Sequence, residues 1–299
     1  MTGMEVSRRK LLIGGASAAV LGTSGALTAA GPAAAVDYAV HSAIPKDASG
    51  YLNVLHGTSS TRTVVLSGGR ISVSAGVSGF PFPVEKVIFI GDAGGPDGGH
   101  SSMIAIRSDG YMYGLTRYWK NDSAGKSSQS WSSRRYGPGW LGTEDMVIDR
   151  RNGHLFRLTT NGTLTRYRFA LTSFSDKQVV FSAGGSVRSI AVDRTVTHLG
   201  APAAVLLANT THGDLREYIV PLSNPSQWRS RILRPAGTGW QQFSKLTVTQ
   251  HGNGRIIMGM NDALQVRAYF DPNRSDFVGT DIRGGATSLP TLPAGTRPA

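Results

Sequence analysis

A repeat of about 50 residues constrains the fold of this chain more than any other feature of its sequence. Residues 137–169 and 237–270 share one pattern, in which Gly-x-Gly-Trp is followed by an apolar run and then by two turns. The two tryptophans, Trp140 and Trp240, are 100 residues apart, and a further copy of the second turn lies between them at His212-Gly213. One turn marker per copy falls at positions 50, 110, 162, 213 and 262, which gives five units.

The sequence of each unit predicts several short strands joined by tight turns. β-rich runs such as 146–149, 154–158 and 163–169 are separated by Asn-Gly pairs, which supply the positive φ of a two-residue hairpin. After residue 35, no apolar stripe at helical spacing survives the frequent Gly and Pro. An all-β chain with this period predicts a five-bladed β-propeller in which each unit is one blade. A β-sandwich or a solenoid is the alternative.

Residues 1–35 have the pattern of a twin-arginine export signal. Arg8-Arg9 precedes a run of small and apolar residues, and Ala33-Ala34-Ala35 fits the small-residue rule for cleavage. We therefore expect a secreted protein whose single domain spans residues 36–299, with an uncleaved N-terminal anchor as the alternative. No later hydrophobic segment approaches the roughly 20 residues that a membrane span needs.

The composition excludes several classes of protein and site. The chain is 40% hydrophobic and has no cysteine, which excludes a disordered polyelectrolyte, a disulfide-stapled mini-protein and a cysteine nucleophile. The seven histidines never fall at metal-ligand spacing, so we expect no metal and no cofactor. The glycine-rich segment 91–99 contains Asp92 and Asp97, whose oxygens could face Ca²⁺, but a flexible inter-strand loop is the favoured interpretation. Residues 121–133 are predicted to form a polar, mobile loop.

The carboxylates argue against catalysis. Glycoside hydrolysis needs two of them across a cleft, and only three glutamates, Glu85, Glu144 and Glu217, follow the export signal. Glu217 occupies a strand position for which facing solvent is the simple interpretation. Asp149 and Asp193 end equivalent predicted strands, which suggests a structural turn role for both. We expect a protein without catalysis and keep a secreted propeller glycoside hydrolase as the alternative.

The repeat also resembles a known family. Gly-x-Gly-Trp, an apolar strand, Asn-Gly with Leu-Phe, and a second Asn-Gly or Asp-x-Leu with Tyr resemble the repeat of tachylectin-type five-bladed propellers. The resemblance is good over residues 137–169 and 237–270 and partial elsewhere, since Gly79-Phe80 and Gly185-Ser186 replace the Gly-Trp pair. It implies a lectin that binds N-acetylated amino sugars at repeated sites between blades.

A lectin site needs aromatic rings for the apolar face of a sugar and short polar side chains for its hydroxyls. The best-preserved units offer Trp140 with Asp149 and Asn152, and Trp240 with Asn253. We predict that these five residues bind a carbohydrate or cell-surface glycan, in a protein that is a monomer. Packing between blades is the alternative role for both tryptophans.

The net charge points to a second kind of partner. The chain has 31 Lys and Arg against 19 Asp and Glu, and removal of residues 1–35 leaves 28 against 18. This excess predicts a weak attraction to anionic polymers, which makes an anionic-polymer binding module the second alternative. Several of the arginines recur within the repeats, at Arg157, Arg166, Arg168, Arg216 and Arg267.

Overall fold

The computed structural model is an all-β protein with two short 3-10 helices, Pro225–Gln227 and Trp240–Gln242. It describes residues 43–45, 51–59, 64–72, 82, 84–95, 97–123, 127–170, 173–182, 186–263, 265–284 and 296–298. The predicted export signal therefore lies outside the described residues. Within them, no helix is long and apolar enough to cross a membrane.

Four consecutive four-stranded antiparallel sheets form the blades of a β-propeller. Blade 1 contains β4 (Val84–Gly95), β5 (Gly98–Arg107), β6 (Met112–Asn121) and β7 (Ser127–Gly137). Blade 2 contains β8 (Thr143–Asp149), β9 (His154–Thr159), β10 (Thr163–Ala170) and β11 (Ser173–Ser182). Blade 3 contains β12 (Val187–His198), β13 (Ala201–Thr210), β14 (Leu215–Pro221) and β15 (Arg229–Arg234). Blade 4 contains β16 (Phe243–His251), β17 (Gly254–Asn261), β18 (Val266–Asp271) and β19 (Arg283–Gly284).

The first strands of the blades, β4, β8, β12 and β16, contact one another in this order and are the innermost strands. The hydrophobic cores lie between neighbouring blades. Ile104 and Met112 of blade 1 pack with Leu155 of blade 2, and Phe156 of blade 2 packs with Leu206 of blade 3. Each blade thus buries its apolar faces against the next, as a propeller requires.

Further strands lie outside these four blades. They are β1 (Ala43–Pro45), β2 (Tyr51–Ser59), β3 (Val64–Ser72) and β20 (Thr296–Pro298). β2 and β3 form a hairpin beside β17 and β18, while β1 pairs with β20 in antiparallel register and lies next to β2.

The turn between the second and third strands has the same geometry in blades 1, 2 and 3. The N–H groups of Gly110, Gly162 and Gly213 donate to the carbonyl three residues earlier, at 2.8, 2.8 and 3.0 Å. The three glycines have φ values of 81°, 77° and 94°. This is a three-residue loop that ends in a left-handed glycine. The prediction of two-residue hairpins was therefore wrong. A two-residue type I′ turn needs a positive φ at both residues, whereas in each Asn-Gly or equivalent pair only the glycine has one.

Two segments predicted as loops are mostly strand. β7 begins at Ser127, so most of the polar stretch 121–133 belongs to the outer strand of blade 1. The glycine-rich segment 91–99 continues β4 and β5, with Gly94 opposite Gly99 and Gly95 opposite Gly98. Polar and small residues suffice here because backbone pairing to a neighbouring strand, rather than side-chain burial, holds both segments in extended conformation.

Candidate functional site

Trp140 and Trp240 lie in the cores between blades. Trp140 is 7% exposed and packs against Tyr167 and Phe174, with ring centroids 5.1 and 5.4 Å away. Trp240 is 2% exposed and packs against Tyr269, with a centroid distance of 4.5 Å. This is the packing role that the sequence left as the alternative. Rings buried to this extent present no face to a sugar.

The backbone around both tryptophans links one blade to the next. The N–H of Trp140 donates to the carbonyl of Gly110 in blade 1 at 3.0 Å. The side-chain amide of Asn209, in blade 3, donates to the carbonyls of Trp240 at 2.8 Å and Phe243 at 2.6 Å. The Gly-x-Gly-Trp marker therefore specifies how the outer strand of one blade leads into the inner strand of the next.

The structure brings Asp149 and Asn152 together but separates them from Trp140. The Asn152 amide donates to Asp149 Oδ2 and to Thr195 Oγ1 of blade 3, both at 2.6 Å. Trp140 lies before β8 and Asp149 ends it, so the strand holds them about 20 Å apart at its usual rise per residue. Trp240 and Asn253 are separated in the same way by β16, and Asn253 is exposed. The five predicted residues do not form one site.

Asp149 borders a cavity of about 490 Å³ between the innermost strands of blades 2, 3 and 4, here called the axial cavity. Its lining includes Asp193 and Thr195 from β12 and Thr249 and Gln250 from β16. The carboxylate of Asp149 also accepts the N–H groups of Arg151 and Asn152, at 3.2 and 3.3 Å. The structural turn role predicted for Asp149 is confirmed.

A polar link joins the innermost strands near their starts. Lys245 Nζ of blade 4 lies 2.6 Å from Asp145 Oδ1 of blade 2. Asp145 Oδ2 accepts from Ser189 Oγ of blade 3 at 2.8 Å and from the N–H of Ile190 at 2.9 Å. Each of these three polar residues sits at a β-bulge in its strand, which turns the side chain toward the neighbouring blades. The carboxylate is saturated by these contacts and serves as a structural clamp.

A buried ionic cluster joins blades 3 and 4. Arg255 Nη1 contacts Asp193 Oδ2 at 2.8 Å and Glu217 Oε1 at 2.7 Å, and its Nη2 contacts Asp271 Oδ2 at 2.7 Å. Burial by itself lowers the pKa of Arg255, but the three carboxylates raise it overall, so the guanidinium stays charged. Arg194 also contacts Asp193 and Glu217, so each of these buried carboxylates lies beside more than one guanidinium.

Two sequence interpretations fail at this cluster. Glu217 does not face solvent: its side chain has no exposed surface and contacts Arg194, Arg231 and Arg255. Asp193 does not end a strand, because β12 continues to His198 and carries a bulge between Val192 and Arg194. The repeat suggested equivalence with Asp149, but β12 is longer than β8 and places its aspartate inside the cluster.

A second cavity, of about 450 Å³, lies where blade 4 meets blade 3, and we call it the inter-blade groove. The segment 272–282, between β18 and β19, reaches over β15 to form one side. Arg234 Nη2 of β15 donates to the Ile282 carbonyl at 3.0 Å, and Gly279 fits so closely that an added Cβ would lie 2.1 Å from the Leu233 carbonyl oxygen. The groove is lined by Arg194, Val196, Thr197, His198, Val205, Ile219, Arg229, Ser230, Arg231 and Phe277.

Phe277 is the exposed ring of the inter-blade groove. It is 44% exposed and has a φ of 66°, a left-handed conformation that a phenylalanine rarely adopts. The Arg231 guanidinium carbon lies 3.1 Å from its ring centroid, and that of Arg194 lies 6.0 Å away. Strained residues of this kind concentrate at functional sites, where the surrounding structure holds them in place.

No protein-family model matches this sequence, and no curated protein matches it. The site must therefore be interpreted from its own chemistry. Across the described ranges, no group of three or more His, Asp or Glu side chains is placed to hold a metal ion.

Sequence reasoning missed the inter-blade groove. Phe277 lies in the 272–282 segment, outside every repeat marker, so no periodic signal pointed to it. A local signal did exist in Arg229-Ser230-Arg231, because alternate residues of a strand share one face and these two arginines line the same cavity.

Proposed function

We propose that this protein is a secreted, lectin-like β-propeller that recognises N-acetylated amino sugars or cell-surface glycans without catalysis. The observation that carries this proposal is the inter-blade groove with its exposed, strained Phe277. An aromatic ring in a cavity of this size, flanked by a few polar side chains, is the usual form of a small-ligand site.

The groove offers both kinds of contact that a sugar needs. Phe277 and the partly buried Ile219 supply apolar surface, and the hydroxyls of Thr197 and Ser230 are placed along the walls. His198 adds a buried Nε2 atom that has no hydrogen-bond partner among the described residues. A sugar hydroxyl can act as donor or acceptor and so can satisfy that nitrogen in either tautomer.

The same proposal includes a fifth blade, as the repeat count predicts. Its strands would be the hairpin of β2 and β3, together with β1 and β20, which pair near the two ends of the chain. The position of β2 and β3 beside β17 and β18 supports this arrangement. Closure by a terminal strand pair removes the exposed edges that four blades would leave.

The proposal also includes export by the twin-arginine route, a mature start near Val36 and a monomeric state. These points rest on the sequence pattern. The glycoside hydrolase alternative has less support. A general acid needs access to substrate, whereas Glu217 is buried among arginines and Asp193 is paired with Arg255.

Binding measured by calorimetry tests the function. We expect the mature protein to bind oligosaccharides that contain N-acetylglucosamine or N-acetylgalactosamine, without release of reducing sugar. Phe277→Ala should weaken that binding about tenfold, because the sugar loses its stacking surface. Leu141→Ala removes an exposed apolar side chain outside the groove and should leave the affinity unchanged.

Two results would contradict the proposal. The first is the absence of binding to every glycan on a broad array. The second is binding that Phe277→Ala leaves unchanged, which would place the site elsewhere. Reducing-sugar release that one carboxylate substitution abolishes would support the hydrolase instead.

A further inference from the structure

We infer that the inter-blade groove selects glycans by an acidic group, a carboxylate or a phosphate, carried on the sugar. This inference rests on the proposed function and names its ligand class. The groove is lined by Arg194, Arg229, Arg231 and His198. Its lining contains no Asp or Glu, so every ionisable group that borders the cavity is basic.

The buried carboxylates next to the groove neutralise only part of its positive charge. Arg194 and Arg231 approach the carboxylate of Glu217, so the charges of these two groove arginines are balanced within the buried cluster. Arg229 stands outside the cluster and is exposed, and it has no ion-pair partner within the described part of the chain. An acidic ligand would supply the missing negative charge.

Arg231 is held in place before any ligand binds. Arg231 Nε lies 3.1 Å from Glu217 Oε2, and the guanidinium stacks on Phe277. Arg231 therefore has less rotational freedom to lose when a ligand binds, and the entropy cost of binding is lower. A carboxylate or phosphate beside Arg229 and Arg231 would accept charge-assisted hydrogen bonds, which are stronger than those to a neutral hydroxyl.

The shape of the basic surface favours a glycan over a nucleic acid. Nucleic acids bind along extended rows of exposed Lys and Arg that contact many phosphates. Arg157 and Arg166, two of the recurring repeat arginines, are instead buried. Arg157 donates to the carbonyls of Gly139 and Leu141, at 2.9 and 2.8 Å. The groove brings Arg194, Arg229 and Arg231 together around a cavity of about 450 Å³, which suits a single acidic group.

Affinity for a matched pair of ligands tests the inference. The probes are an oligosaccharide that alternates glucuronic acid with N-acetylglucosamine and its carboxyl-reduced, neutral counterpart. We expect the acidic form to bind at least about tenfold more tightly at low salt, with the difference shrinking as ionic strength rises. N-acetylglucosamine 6-phosphate, compared with N-acetylglucosamine, tells whether phosphate can replace the carboxylate.

Arg229→Gln is the decisive variant, because Arg229 is exposed and takes no part in the buried cluster. It should reduce the preference for the acidic form to about twofold, with most of the loss in affinity for the acidic form. Arg168→Gln removes an exposed arginine of blade 2 and should change neither affinity.

The outcomes separate the inference from the proposed function. Equal affinity for the acidic and neutral glycans, or a preference that survives in Arg229→Gln, overturns the inference and leaves the lectin function standing. Binding to single-stranded DNA with no binding to any glycan overturns both. A preference for the acidic form that Arg229→Gln removes supports both.

Discussion

Two junctions between blades are built on the same plan but filled with different chemistry. At each one, the segment between the third and fourth strands of the later blade reaches over the outer strand of the earlier blade. At the junction of blades 2 and 3, residues 222–228 cover β11, and the Trp228 ring packs 5.1 Å from Phe181 and 5.8 Å from Tyr218. We call this the aromatic junction.

At the junction of blades 3 and 4, residues 272–282 cover β15, and the apolar core around Trp240 is accompanied by the cluster around Arg255 and by the inter-blade groove. We call this the ionic junction. Apolar rings fill space without needing partners, whereas buried charges must be paired and leave room for polar ligands. Both junctions of this propeller contain an apolar core, but the ionic junction adds a buried charge cluster and an open, charged cavity.

The largest effect should come from the centre of the ionic junction. Arg255→Met leaves Asp193, Glu217 and Asp271 without their shared cation, and we expect a loss of about 3–5 kcal/mol in the free energy of unfolding. Denaturant unfolding measures this loss. Arg267→Met, at an exposed position of the same blade, should cost no more than about 0.5 kcal/mol. Equal losses from the two variants would show that the buried pairs have no special role.

The aromatic junction should respond next. Trp228→Ala removes the ring that covers Phe181 and Tyr218, and we expect a loss of about 3 kcal/mol by the same measurement. Glycan binding should fall less than in Phe277→Ala, because the Trp228 ring does not line the groove. A binding defect in a folded Trp228→Ala protein as large as that of Phe277→Ala would contradict the division between the two junctions.

Phe277 should separate binding from stability. Phe277→Asn places in the left-handed conformation a residue that tolerates it, which offsets the lost stacking on Arg231. We expect the free energy of unfolding to stay within about 0.5 kcal/mol of the parent protein while glycan affinity falls. A loss of more than about 2 kcal/mol would make Phe277 a structural residue.

The smallest effect is a pH dependence beside the aromatic junction. Burial lowers the pKa of His154, and Arg166 and Arg168 lower it further against the opposing charges of Asp149 and Asp176. The unfolded chain therefore binds the proton more readily than the folded one. This contribution to stability is complete above the ordinary value of 6.5 and is lost as the pH falls through the lowered pKa.

We expect His154→Gln to lessen the fall in unfolding free energy between about pH 7.5 and pH 5.5. His212→Gln, at an exposed turn position, is the control. A fall of the same size in His154→Gln as in the parent protein would contradict the assignment.

The period of the sequence predicted the blades because the repeat consists of residues that every blade needs. Turn glycines recur at Gly110, Gly162 and Gly213 because the same turn needs a positive φ in each blade. Buried tryptophans recur at Trp140 and Trp240 because they pack between neighbouring blades. The groove does not recur, and a repeat-based search finds only what recurs. The same limit misplaced Asp193, which aligns with Asp149 but lies in a strand that continues past it.

A crystal structure of the protein with the disaccharide of glucuronic acid and N-acetylglucosamine tests the central claim most directly. We predict that the ligand lies in the inter-blade groove, with a sugar ring on Phe277 and the carboxylate within hydrogen-bond distance of Arg229 or Arg231. A disaccharide in the axial cavity beside Asp149, with the inter-blade groove empty, would contradict the account.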